Sequence, residues 1–165
     1  MFEHLFYPSQ RLGCLSYRWM HRHMFLGRYE HSLDSKGRLT LPSEYAGDLA
    51  SGVVLTRGME NCVYLFPKTE FDRISGQLST LSLTDSRARK LKRWLLSNAQ
   101  RAEPDRQRRV IIPQRLRDIA RISDKVLIAG MDTFIELWQP EAWDEHDLLL
   151  EQEAADQDFF ASLVI

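Results

Sequence analysis

Cysteine is scarce: the 165-residue chain has two, Cys14 and Cys62, far apart and with no Cys or His neighbour at zinc-ligand spacing. That excludes a disulfide framework and a structural zinc site, and it suits a reducing cytoplasm. Long apolar runs are missing too. The opening stretch MFEHLFYPSQRLGCLSYRWMHRHM carries Arg11, Arg18 and Arg22 but no unbroken apolar segment of the roughly 7 to 15 residues that a signal peptide needs. Nothing approaches the roughly 18 apolar residues of a membrane span. The expectation is a soluble, unexported chain with no membrane partner. A Gly-rich phosphate loop, a nucleophile elbow and a metal-spaced cluster are all lacking, so no cofactor and no small-molecule substrate are indicated. From Val126 onward there is no Lys or Arg at all, against ten acids.

What is present is a strongly uneven charge distribution under a formal net charge of −1. Between Arg87 and Arg117 stand eleven of the 22 basic residues, opposed only by Glu103 and Asp105. One surface seeks anions and another is held away from them, so the overall charge misleads. A solvated helix face is the plainer reading of the same basic run. The hydrophobic fraction of 44% is ordinary for one compact domain or two small subdomains sharing a core.

The chain repeats itself. LDSKGRLTLP (33–42) and PDRQRRVIIP (104–113) both carry Asp, then Arg four residues on, then apolar residues and Pro: Asp34, Arg38 and Pro42, and again Asp105, Arg109 and Pro113. Downstream, GVVLTRGMENCVYLFP (52–67) matches KVLIAGMDTFIELWQP (125–140), with Gly58 over Gly130, Met59 over Met131, Leu65 over Leu137 and Phe66 over Trp138. Two copies are too few for a solenoid, which needs at least three units. They can bury their apolar faces against each other as an internal pseudo-dimer. The units are expected at 24–100, including a basic connecting helix, and 101–143, followed by an acidic helical segment at 144–165. Residues 1–23 lack periodicity and are expected to be an upstream-start extension or a disordered arm.

Within each unit the pattern predicts strand, tight turn, strand, short helix, then a hairpin and a helix. GRYEHSL and RLTL flank Asp34-Ser35-Lys36-Gly37, where Asp favours the turn start and Gly supplies φ > 0, so the motif is placed at a hairpin tip. The second copy has Arg108 where the first has Gly37, so its turn is either shaped differently or held by its surroundings. Pro42 and Pro113 end strands and open short helices. Thr69 is expected to cap an amphipathic helix with Phe71, Ile74, Leu78 and Leu81 on one face. Thr84 is expected to precede a second with Ala88, Leu91 and Leu95 inward and Arg87, Arg89, Lys90, Lys92 and Arg93 outward. The final segment, from Glu141, is expected to dock Trp143, Leu148 to Leu150, Phe159 and Phe160 while presenting carboxylates to water.

Asp34 and Asp105 could in principle be a carboxylate dyad, but the motif has no partner His or Glu, and His31 has no counterpart in the second copy. An enzyme is not indicated. Each Asp is expected to cap backbone N–H groups and pin its turn, as is Gly37 through its backbone freedom. Lys36, Arg38, Arg106, Arg108 and Arg109 exceed what two Asp side chains need, and Arg forks to phosphates and to guanine while a two-stranded ribbon fits the major groove. These five residues are the candidate contacts to double-stranded DNA.

MFLGRYEHSLDSKGRLTLPSEY together with DRQRRVIIP resembles the MraZ family of bacterial transcriptional regulators, whose signature is a doubled Asp-x-x-x-Arg motif; the likeness runs from Met24 to about Trp143. It implies a mixed α+β, β-rich fold of two tandem swapped-hairpin units, like those of AbrB and SpoVT type regulators, forming a pseudo-dimeric barrel with flanking helices. It further implies a ring-shaped homo-oligomer that binds operator direct repeats upstream of its own operon in the division and cell-wall gene cluster, hence a cytoplasmic, nucleoid-associated protein. The family's DNA-facing motifs fall on Asp34 to Arg38 and on Asp105 to Arg109. A different class, an adaptor or structural ring whose acidic helix binds a protein partner, is the alternative.

Overall fold

The computed structural model describes residues 24–155 and 159–160, so the expectations for residues 1–23 lie outside the described residues. Its architecture is mixed and sheet-rich. In chain order come β1 (Arg28–Ser32), β2 (Arg38–Thr40), a single 3-10 turn (Ser43–Tyr45), α1 (Ala46–Leu49), β3 (Val53–Arg57), β4 (Val63–Pro67), α2 (Lys68–Thr80) and α3 (Ser86–Leu96). The second half supplies β5 (Gln100–Ala102), β6 (Arg109–Ile111), α4 (Gln114–Ala120), β7 (Lys125–Met131), β8 (Phe134–Trp138) and α5 (Pro140–Ala154).

The strands do not pair as the local reading expects. The local pattern makes β1 and β2 arms of one hairpin, yet their backbones share no ladder beyond the isolated Leu33↔Leu39 bridge. β1 pairs with β7 and β2 with β6, all antiparallel, giving a six-stranded sheet β1-β7-β8-β4-β3-β5 and a separate two-stranded ribbon β2-β6. Exchanging the two repeats leaves this strand order unchanged. The registers agree: Leu39 faces Val110 in the ribbon, and Tyr64 faces Glu136 in the sheet, each residue opposite its own counterpart. Each repeat therefore completes the other's ladders, because alternation marks a strand but does not name its partner.

One apolar layer lies between the sheet and the ribbon. Val53, Leu55, Val63, Leu65, Val126, Ile128, Ile135 and Leu137 from the sheet meet Leu39, Leu41, Val110 and Ile112 from the ribbon strands and their ends, with Leu49 and Leu116 from the short helices. Leu39, Leu49, Leu55 and Ile112 are wholly buried, and each such side chain contributes about 1.5–3 kcal/mol relative to exposure. On the opposite face Val54 and Phe66 pack against Phe71 of α2, with Ile74 and Phe134 at the margin.

Several boundaries shift from expectation. Pro67, not Thr69, is the N-cap of α2, since the Lys68 N–H already donates to the Gly52 carbonyl at 3.0 Å and the helix can start directly off β4. Asp85, not Thr84, caps α3 by accepting from the Arg87 N–H at 2.8 Å, while the Thr84 hydroxyl is engaged with Ser82. The aligned Gly-Met pairs also part company: Val63 faces Arg57, whereas its counterpart Ile135 faces Gly130, so the turns differ by one residue.

The last helix departs most. No residue of α5 is buried. It touches the sheet through Trp143 and His146, whose rings lie 5.7 and 4.8 Å from that of Trp138, and through an Arg28–Asp147 ion pair at 2.8 Å. Leu148, Leu149 and Leu150 are about half exposed, and so are Phe159 and Phe160. Three consecutive helical positions fan over roughly 200° of the helix, so one neighbour cannot cover them all. Among the described residues no helix is long and apolar enough to cross a membrane.

Candidate nucleic-acid interface

The two Asp motifs fold into the same object. In the first, the Asp34 N–H donates to the Arg38 carbonyl at 3.0 Å and the Gly37 N–H to the Asp34 carbonyl at 2.9 Å; in the second, the Asp105 N–H donates to the Arg109 carbonyl at 2.9 Å and the Arg108 N–H to the Asp105 carbonyl at 2.8 Å. Side chains repeat the pattern. Asp34 Oδ1 accepts from the N–H groups of Lys36 (2.9 Å) and Arg38 (3.0 Å), and its Oδ2 from Arg38 Nε (2.7 Å). Asp105 Oδ1 accepts from the N–H groups of Gln107 (2.8 Å) and Arg109 (3.0 Å), and its Oδ2 from Arg109 Nε (2.8 Å).

These bonds explain the motif's spacing. A carboxylate at the first position caps the N–H groups two and four residues on, and the Arg at the fifth neutralises it, so a four-residue turn is closed from inside. The energetic trace is a lowered carboxyl pKa at both tips. The Arg38 N–H is the main cause at Asp34; the Arg109 guanidinium, followed by its N–H, holds Asp105 down to about 2.

Gly37 and Arg108 show how one turn is built twice. Both adopt the left-handed conformation, with φ of 74° and 59°, so the second turn is not reshaped by losing its glycine. Its surroundings hold it: the Leu41 N–H donates to the Arg108 carbonyl at 2.9 Å, and the Ile112 N–H donates to the Gly37 carbonyl at 3.0 Å. Each tip is thus clamped to the strand end of the opposite repeat. Arg108 can bear a left-handed φ because those bonds and the Asp105 cap over-determine its backbone.

In the ribbon, Leu39 and Val110 point into the core, leaving Arg38, Thr40, Arg109 and Ile111 on the outer face. The two tips stand at opposite ends of this antiparallel ribbon. Lys36, Arg106 and Arg108 are exposed, while Arg38 and Arg109 are half-buried. Arg38 and Arg109 are therefore the residues that satisfy the two Asp side chains, and the surplus cations are Lys36, Arg106 and Arg108. A cavity of about 470 Å³ beside the outer face is lined by Arg38, Arg109, Asp105 and Ile111 together with Arg101 and Glu103, and it reaches Leu55 of β3 at its floor.

His31 is explained by the fold: its Nδ1 donates to the Thr40 carbonyl at 2.6 Å, tying β1 to β2. On α3, Arg89 donates to the carbonyls of Leu83 and Thr84 and Lys92 to that of Leu81, so two of its cations close the preceding loop. One residue escaped notice in the sequence. Arg117 of α4 lies against Gly37, with its Nε donating to the Ile112 carbonyl at 3.2 Å. The signal for it was the Gly37/Arg108 mismatch between otherwise parallel motifs. Among the described residues no cluster of His, Cys, Asp and Glu could hold a metal ion. Cys62 is buried, and burial pushes its thiol up to about 12.

Comparison with known proteins bears on this arrangement. The family model described as "MraZ protein, putative antitoxin-like" matches twice, over residues 24–94 and 95–162. A Roseiflexus castenholzii protein named "Transcriptional regulator MraZ" is 42% identical over 120 residues, covering 73% of this chain and 84% of the relative. Proteins of the same name from Thermoanaerobacter pseudethanolicus and Salinispora arenicola are 39% identical over 123 residues and 41% identical over 133. They cover 74% and 81% of this chain and 86% and 94% of their own lengths.

Proposed function

The chain belongs to the MraZ family, and from that premise we propose that it is a transcriptional regulator that binds double-stranded operator DNA through the outer face of its β2–β6 ribbon and the two Asp-x-x-x-Arg tips. It acts by binding and not by catalysis. The observation that carries the reading is the duplication itself: two turns with matching hydrogen bonds sit at the ends of one ribbon, each Asp neutralised internally and each tip left with exposed cations. A carboxylate beside phosphates would repel them, so pairing it with Arg38 or Arg109 leaves Lys36, Arg106 and Arg108 to set the sign of the field. A two-stranded ribbon has the width of the major groove, where Arg reads guanine bidentately.

The finer parts of the proposal follow from the family. The sheet and ribbon close as a pseudo-dimeric barrel, and the domains divide near residue 100. Copies assemble head to tail into a homo-oligomeric ring whose arrayed ribbons bind the direct repeats upstream of its own operon in the division and cell-wall gene cluster, as a cytoplasmic, nucleoid-associated protein. The exposed Leu148, Leu149 and Leu150 support an assembly in which other protein covers them. The same leucines, set among acids, favour the second reading, an adaptor ring that takes a protein partner on α5.

Salt separates the two. Anisotropy titration against duplex DNA from upstream of the gene should show affinity falling steeply with salt, and Arg106→Ala or Arg108→Ala, which leave both Asp–Arg pairs intact, should each weaken binding by about 1–3 kcal/mol. A flat salt dependence, or full affinity in both variants, leaves the adaptor as the better account. Light scattering should report a mass several times 19.3 kDa. A duplex with three repeats should bind about 10² to 10⁴ times more tightly than one with a single repeat.

A further inference from the structure

We infer that Arg117, carried by α4 of the second repeat, is a DNA-binding side chain of the first tip, where it supplies the cation that Arg108 supplies at the second. The inference rests on the regulator reading above and adds a residue that lies outside both Asp motifs.

Two things could forbid a side chain at Gly37. Backbone conformation alone does not, since Arg108 occupies the same turn position at a similar φ. Crowding does: a Cβ on Gly37 would lie 2.9 Å from both Cζ and Nη2 of Arg117. The Arg117 guanidinium therefore fills the space into which a side chain at position 37 would project. In the first repeat the position equivalent to Arg117, seventy-one residues earlier, is Ala46. An alanine there has no guanidinium to set against the second tip, and Arg108 itself extends from the turn and is exposed. The pairs are reciprocal. Where the turn holds Gly37 the helix holds Arg117, and where the turn holds Arg108 the helix holds Ala46.

Counting cations supports an exchange of roles. The second tip has Arg106, Arg108 and Arg109; the first has Lys36 and Arg38, and it reaches the same number only with Arg117. Arg117 is also held for the task. Its Nε donates to the Ile112 carbonyl at 3.2 Å and its Nη2 to the side-chain oxygen of Gln114. Neither bond uses Nη1, and neither partner is a carboxylate. A half-buried guanidinium fixed at one edge with donors left over is pre-organised to meet a phosphate at low entropic cost.

The competing explanation is a wedge that merely supports the turn, and charge distinguishes the two. Full-length variants would be titrated by anisotropy against the upstream duplex at several salt concentrations, with thermal melts alongside. Arg117→Ala should weaken binding about tenfold or more and lower the salt slope by about 0.9 per engaged subunit, the value for one lost phosphate contact. Arg117→Gln can still donate to Ile112 yet should bind as weakly as Arg117→Ala. The double variant Gly37→Arg with Arg117→Ala, which copies the second tip's arrangement, should return to within about threefold of the wild type. Wild-type affinity and slope in Arg117→Ala would overturn the inference. Recovery by Gln would also overturn it by showing a supporting role alone, as would a folded double variant no better than Arg117→Ala. Should the double variant melt early, Arg117→Gln decides by itself. If the wild-type chain binds the duplex without salt dependence, the regulator reading fails first, and that is distinguishable from all of these.

Discussion

At the two Asp tips the backbone is the same though Gly37 stands opposite Arg108; at the β3–β4 and β7–β8 turns a Gly-Met pair is shared and the backbone differs. Gly37 and Arg108 share a conformation and a set of hydrogen bonds. Gly58-Met59 and Gly130-Met131 share letters, yet Gly130 sits inside the ladder opposite Ile135 while the ladder of the first copy ends at Arg57 opposite Val63. Identity of sequence is therefore a poor guide to what duplication has kept. Kept are the bonds of an Asp cap, which fix a turn from within; a long hairpin loop with no such cap is free to gain or lose a residue.

The sharpest break in the comparison should come from the glycines that match only in letter. A Cβ on Gly130 would fall 2.4 Å from the backbone carbon of Phe25 and 2.5 Å from the Leu26 nitrogen, whereas on Gly58 it would meet the Cys62 sulfur at 2.4 Å and the Tyr64 ring at 2.8 Å. Backbone bound at both ends yields less readily than side chains. Gly130→Ala should cost about 3 kcal/mol or more and Gly58→Ala about 1–3 kcal/mol, the range of overpacked cores, read from urea midpoints. Equal losses would mean that the segment bearing Phe25, bridged to Asp132 ahead of β1, yields as easily as a side chain.

Acid should loosen the tips next. Asp105 is held to about 2 in the folded protein, chiefly by Arg109, against roughly 3.9 in an unfolded chain. A depressed carboxyl pKa stabilises the fold fully above the unfolded value, and that contribution disappears as pH falls through the folded one. The difference in urea midpoint between the wild type and Asp105→Asn should be constant above about pH 5, shrink below about pH 4 and be nearly gone at about pH 2. Asp34→Asn should change in the same direction, because its carboxyl is also lowered. A difference that persists unchanged into acid would show that the negative charge of these caps adds nothing to stability.

The smallest effect should be opposite in sign at the two equivalent turn positions. Arg108→Gly relieves a left-handed non-glycine residue and should raise stability by up to about 1 kcal/mol while weakening DNA binding. Gly37→Ala, blocked by Arg117, should lower stability by about 1 kcal/mol or more. Melts of the two variants side by side check this, and a shared sign would mean that Arg117 moves aside freely.

Much of this molecule was legible in its residues because its motifs are local. The turn at Asp34, the apolar alternation of RLTL, the Pro-started short helices and the Phe71, Ile74 and Leu78 part of the α2 stripe all report neighbours within a few positions, whereas Leu81, expected on the same face, falls past the helix end at Thr80 and is exposed. Partners at long range were not so reported. Nothing in RYEHS says that it will pair with KVLIA and not with RLT, since both choices satisfy a strand's donors equally. Arg117 was hidden for the same reason: it belongs to one tip in sequence neighbourhood and to the other in space. The Leu148 to Leu150 run failed differently. Hydrophobicity marks a surface that will be covered, but not whether the cover comes from the same chain.

The exchanged strands also set a timetable for folding. Arg28 finds its ladder partner at Ala129 and Leu39 at Val110, so the first repeat emerges from the ribosome with two strands whose partners are not yet made. At roughly 5–20 residues per second the wait for β7 is about 5–20 s, far longer than the microseconds in which a hairpin forms. During it, β3 and β4 can zip together, while β1 and β2 present unpaired edges beside the apolar Leu39 and Leu41. Joining both halves in one chain shortens that exposure: the missing strands arrive at a fixed time and at high local concentration, whereas separately made halves would have to meet by diffusion.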